Sequence, residues 1–284
     1  MNIMVIGKNE FDSGKTTVCR IIARLLLDNG IQLTPFKPHS GFNYWFNFKY
    51  LDEYFKFGDF YSKDVYLILK DLNLLGKYNP IILNPVHRVL GPSKKLVDET
   101  YFDEFLFVRF TKLLNSEGIP DSIYYINQNH RGQPDIIKKI KLLLRNRKVI
   151  NINSLKDLEL QYSKHYNISI ESCFSFVNEK VDNIIIECYN DAAYPFMNIE
   201  KYVDSIILST PGRIYLINVE KYFKKCYLIS TIHNKMLLTV PQVIEKSLVL
   251  DKFDVPAVAT IEPDSNRIFY PYLEKLIDYL LKLK

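Results

Sequence analysis

Apolar positions along the chain fall into short unbroken runs that alternate with stretches where they recur every three or four residues. Residues 2–6 form an apolar run of strand length, and over residues 14–28 Val18, Ile21, Ile22, Leu25 and Leu26 mark one face of a helix. Asn29-Gly30 stops that helix, and residues 32–36 give a second strand closed by Lys37-Pro38. Strand, helix and strand at this spacing predict a βαβ unit in a parallel sheet with a right-handed crossover. Residues 181–188 (VDNIIIEC) and 203–209 (VDSIILS) have the unbroken apolar character of buried parallel strands. Helices are expected over 51–75, 135–147, 240–248 and 270–283, and further strands over 226–230 and 257–261. Residues 80–85 are too short for a helix between their prolines, and 94–108 read as a strand pair or ribbon.

This pattern predicts an α/β fold, a mainly parallel sheet flanked by helices. The 284 residues are read as one domain (1–284) with an inserted segment at 91–165. With 48% hydrophobic and 24% charged residues, disorder, collagen and a coiled coil are excluded. The net charge of +5 is only mildly basic, short of the clustered stripe of a nucleic-acid binder, and by itself decides nothing; nucleic acid is not the expected partner. Cys19, Cys173, Cys188 and Cys226 are far apart, with no CxxC pair and no zinc spacing, so a reduced, cytoplasmic protein is expected. Neither a secretory leader nor a membrane-spanning run is apparent.

Candidate chemistry concentrates at residues 7–17, GKNEFDSGKTT, between the first strand and the first helix. Backbone N–H groups of such a turn and of the helix N-terminus can cradle a polyphosphate. Lys15 would reach the β/γ-phosphates and the Thr16 hydroxyl would bind Mg²⁺, with Glu10, Asp12, Ser13, Gly14 and Thr17 completing the cofactor-binding loop. The usual spacing would put the first glycine at Asn9, whereas Gly7 lies seven positions before Gly14. Glu187, at the end of a buried strand, falls at the carboxyl edge of the sheet, where ligands bind in open α/β folds. Thr16, Asp64 and Glu187 would supply hard oxygen ligands to Mg²⁺. Arg213, after Thr210-Pro211-Gly212, is placed near the same edge as a partner for phosphate or a carboxylate.

The elongated loop with Glu10 and Asp12 resembles that of dethiobiotin synthetase and the related cobyrinic acid a,c-diamide synthases, within the P-loop NTPases. Lys37-Pro38 resembles that family's KPV segment, Asp64 in YSKDVYLIL its metal-ligand helix, Asn84-Pro85 its NPY segment, and Glu187 the acid that completes its metal site. The resemblance spans residues 1–84 and 181–213. It implies an ATP- and Mg²⁺-dependent enzyme in which Lys15, Lys37 and Glu187 are catalytic, and, since the synthetases are dimers, a homodimer. Where the family has a glycine-rich turn after the acid, this chain has Cys188-Tyr189-Asn190-Asp191-Ala192-Ala193, without glycine. The long interval from Asp64 to Glu187 holds the insertion, placed on the substrate side. Both departures point to a different, unknown small-molecule substrate.

Two other classes remain in view. Residues 12–20 also resemble the phosphate loop of polynucleotide kinases, although no DxDxGQ segment follows. A switch ATPase of the partitioning type needs a lysine five positions before Lys15, where this chain has Glu10.

Overall fold

Ile3, Met4, Val5 and Ile6 are all fully buried, as an apolar run without polar alternation requires. They form the middle of β1 (Asn2–Gly7) in the computed structural model, which describes residues 1–92, 100–130, 132–233, 238–257 and 266–283. The chain divides into two compact units, the first comprising Met1–Pro38, Tyr66–Tyr78 and Asn178–Lys284, the second His39–Val65 and Asn79–Val177.

In the first unit β1 is joined by β2 (Thr34–Phe36), β8 (Ile184–Glu187), β9 (Ser205–Thr210), β10 (Arg213–Ile217) and β11 (Val249–Asp254) in the order β11-β10-β9-β1-β8-β2. The strands from β9 to β2 are parallel, while β10 pairs antiparallel with both β9 and β11. The sheet is therefore mixed, and β8 lies between the two strands of the expected βαβ unit. Helix α1 (Lys15–Asp28) buries Val18, Ile21, Ile22, Leu25 and Leu26, the expected stripe. Its Arg20 grips Asp71, in α3 (Lys63–Asp71), through two donors. Residues 226–230, expected as a strand, lie inside α8 (Val219–His233). The reason is periodicity: Tyr222, Phe223 and Cys226 are buried while Tyr227, Leu228 and Ile232 are exposed, a helical alternation around a short apolar run. The helix expected over 240–248 shrinks to one turn, α9 (Val240–Val243), and a 3₁₀ turn at Lys246–Leu248. α10 (Asn266–Leu281) closes the unit as expected, and the strand expected over 257–261 falls, beyond Ala257, outside the described residues.

The second unit is built on another mixed sheet, β3 (His39–Asn43), β4 (Val86–Leu90), β5 (Phe105–Leu113), β6 (Pro120–Asn127) and β7 (Lys148–Ile152), paired in that order. Helices α2 (Leu51–Phe57), α4 (Pro80–Leu83), α5 (Tyr101–Glu104), α6 (Pro134–Leu143) and α7 (Leu155–Lys180) accompany it, α7 ending in the first unit. The single helix expected over 51–75 is two, α2 and α3, because Gly58 turns the chain at φ 85°. The expectation of no helix at 80–85 also needs correcting: Asn79 caps one turn by accepting the Ile81 N–H at 3.2 Å. Of the expected ribbon, residues 105–108 belong to β5 and 93–99 lie outside the described residues. The segment 91–165 is part of this unit, whose sheet starts upstream at β3.

A charged group sits in the middle of this second core. Arg109 is fully buried, donating to the carbonyls of Ile81 (3.3 Å) and Asn84 (2.7 Å), and Asp59 lies 4.0 Å from its Nε. Tyr124 donates to the same aspartate at 2.5 Å. Among the described residues no helix is long and apolar enough to cross a membrane.

Candidate functional site

Strand register assembles the site. Val5 pairs with Glu187 and Phe36 with Ile186, so the next residue after β2, Lys37, comes level with Glu187, two residues back from the end of β1. The Lys37 ammonium donates to Glu187 Oε1 at 2.6 Å, and the Thr16 hydroxyl, from the first turn of α1, donates to the same oxygen at 2.8 Å. Lys37 and Glu187 are both buried, with side chains 8% and 3% exposed, so the carboxylate and ammonium compensate each other away from solvent.

The loop between β1 and α1 is closed by its own polar groups. Ser13 Oγ accepts the Asn9 N–H at 2.8 Å and donates to the Asn9 carbonyl at 2.7 Å. Asp12 and Gly14 take left-handed backbone angles, φ 55° and 77°. Gly7 is required by close approach: a Cβ there would lie 2.7 Å from Lys15 Nζ and 2.8 Å from Ser13 Cβ. Lys15 is thus folded back over the end of β1 and is 9% exposed. Burial lowers the pKa of its ammonium below the ordinary 10.5, Glu187 opposes that shift and the Lys37 charge adds to it.

Four of the expected residues, Lys15, Thr16, Lys37 and Glu187, therefore gather at one end of β1. Two ammonium groups facing one carboxylate leave a local excess of positive charge beside a helix N-terminus, an arrangement suited to an anion. Glu10 is exposed and accepts from Asn190 Nδ2 at 3.1 Å, which ties the turn after β8 to the loop. Asp12 is exposed, and Thr17 is half-buried on α1. Asp64 stands in the first turn of α3, among residues of the second unit, where its N–H donates to Ser62 Oγ at 3.2 Å. Arg213 begins β10 and donates to Asp254 at 2.7 Å on the surface. With Lys8, Asn9, Pro211, Tyr215 and Ile244 it lines a cleft of about 780 Å³ beside the loop.

The residue pattern does not disclose the Ser13–Asn9 clip, the Asn190–Glu10 tie or the Ser209 hydroxyl that donates to the Ser13 carbonyl. Only the order of strands could have pointed to Ser209, since its meeting with the loop depends on β9 lying next to β1. At the level of class the chain is an α/β protein with two mixed sheets. Comparison with known protein families, with curated proteins and with solved structures finds no match.

Proposed function

We propose that this chain is a Mg²⁺-dependent, ATP-binding P-loop ATPase of the dethiobiotin-synthetase kind, which activates a small carboxylate or amine substrate by phosphoryl transfer. The observation that carries the reading is the convergence of the Thr16 hydroxyl and the Lys37 ammonium on one Glu187 oxygen, beside a buried Lys15. In this reading residues 7–17 cradle the phosphates with backbone N–H groups, and Lys15 places its charge on the β/γ-phosphates. In this reading the nucleoside extends toward the open cleft beside Lys8 and Asn9.

The donor set fits the ion. Thr16 and Glu187 are hard oxygen donors already 2.8 Å apart, and among the described residues no cluster of three or more His, Cys, Asp or Glu forms a protein cage. That suits Mg²⁺, which keeps much of its shell on phosphate and water. When bound, the ion neutralises charge on the phosphate oxygens. Lys37 holds the Glu187 carboxylate in place and, through its charge, favours the anionic substrate and the transferring phosphoryl group.

Calorimetry tests the reading. The protein should bind MgATP, and Lys15→Ala should weaken binding by roughly 10- to 100-fold, the range for a charge-assisted hydrogen bond. No binding by the parent, or equal binding by the variant, would sink it. A metabolite panel then separates activities: a ligase-type enzyme releases phosphate faster with its carboxylate or amine, whereas a kinase gives a phosphorylated product and no free phosphate.

A further inference from the structure

β9 is apolar through Ile206, Ile207 and Leu208 and then places a hydroxyl at Ser209, 1% exposed. A buried hydroxyl needs a partner. Ser209 pairs in register with Gly7 and accepts the Lys8 N–H on its carbonyl at 3.2 Å, so its backbone is fastened to the start of the β1–α1 loop. Its side chain reaches the other end of the same loop and donates to the Ser13 carbonyl. The Ser13 hydroxyl meanwhile engages Asn9, so the two polar groups of Ser13 have separate partners. The peptide between Ser13 and Gly14 is trans, and in a planar trans peptide the carbonyl and the following N–H point in opposite directions. Drawing the Ser13 carbonyl toward β9 therefore turns the Gly14 N–H away from the strand. Gly14 itself sits at φ 77°, one residue before α1 begins, where an N–H can serve an anion held at the helix N-terminus.

We infer that Ser209 is a positioning residue for the bound phosphates: its hydroxyl fixes the Ser13–Gly14 peptide so that the Gly14 N–H faces into the loop. The inference rests on the reading of this loop as a phosphate site. It assigns a role to a strand outside residues 7–17, and it makes β9 a part of the site without any contact to the ligand.

The experiment compares the full-length parent with Ser209→Ala and Ser209→Thr, titrating MgATP and, separately, inorganic tripolyphosphate, which has no nucleoside. Ser209→Ala should lose about tenfold in affinity for both ligands, the scale of one misdirected hydrogen bond to a charged group, and Ser209→Thr should recover most of it. Thermal melting without ligand accompanies each titration. Unchanged affinity in Ser209→Ala overturns the inference, as does an equal loss in Ser209→Thr, which would mark a packing role. If Ser209→Ala does not fold, Ser209→Thr and Ser209→Val, alike in shape, pose the same question, and equal affinities overturn it. A parent that binds tripolyphosphate but not MgATP refutes the nucleotide reading and leaves the Ser209 comparison intact; a parent that binds neither refutes both.

Discussion

Lys15 shows what a single residue is asked to do here. Its side chain is folded onto Gly7 and buried, and that burial holds its pKa below 10.5. Between the folded and unfolded pKa values the unfolded chain carries the extra proton, so this group makes stability rise with pH through that window. Below the window the buried ammonium is a full liability, and above 10.5 it is none. Lys15→Met keeps the aliphatic length and removes the cation. The variant should be more stable than the parent at neutral pH, with the gap closing as pH climbs toward 10.5, while MgATP binding weakens by roughly 10- to 100-fold. Denaturant titrations at several pH values check this, and a variant less stable than the parent at neutral pH would refute it. The residues at this end of β1 were legible because each belongs to a pattern with a mechanism: Gly14-Lys15-Thr16 lies between a strand and a helix, and Glu187 closes an apolar run. Ser209 was illegible because one serine at a strand end has no meaning until its neighbour is known.

Among the elements, the ion pair between Lys37 and Glu187 is what joins β2 to β8 at the site. Glu187→Gln strips the buried Lys37 ammonium of the carboxylate it donates to and should destabilise the protein by about 3–5 kcal/mol. Adding Lys37→Met should restore most of that loss, since a buried pair replaced as a whole is often nearly neutral. Urea unfolding of the two single variants and the double variant measures the coupling, and purely additive losses would contradict it. The buried strands β1, β8 and β9 and the helix α1 could be read from the chain because full burial leaves no polar interruption and one-sided burial leaves a 3.6-residue stripe. The second sheet could not. β3 reads HSGFN and β7 reads KVINI with its first four residues exposed, so neither displays a clean alternation. The 26-residue helix α7 hides for a related reason: of its six buried positions only Leu158 lies in the first half, and Ser169 is among them. The core of that unit also breaks the usual rule by centring on Arg109, whose burial is supported by carbonyls that only the fold brings together.

At the scale of the molecule, the cysteines offer a probe of both units. All four are buried, and burial pushes the thiols of Cys173, Cys188 and Cys226 up to about 12, so labelling requires the structure to open. Cys19, Cys188 and Cys226 report on the first unit and Cys173 on the second. MgATP at 100 times its dissociation constant adds about 2.7 kcal/mol to the state that binds it. Labelling of the three first-unit thiols should then slow by roughly 100-fold, with Cys173 in the same sample as the internal comparison; mass spectrometry of timed aliquots reads both, and unslowed first-unit thiols would count against a site at β1. The strand order has one more consequence, for synthesis. Among the described residues β2 pairs with β8 alone, and β8 fills the slot between β2 and β1. A chain emerging from the ribosome makes β1 and β2 first, then all the strands of the second unit, and only then residues 184–187. Nascent domains ordinarily finish in the order in which they are made. Here the strands encoded first must wait with their edges open, the later-encoded sheet can close before them, and a ribosome halted before Glu187 holds a chain in which Thr16 and Lys37 still lack the carboxylate they share.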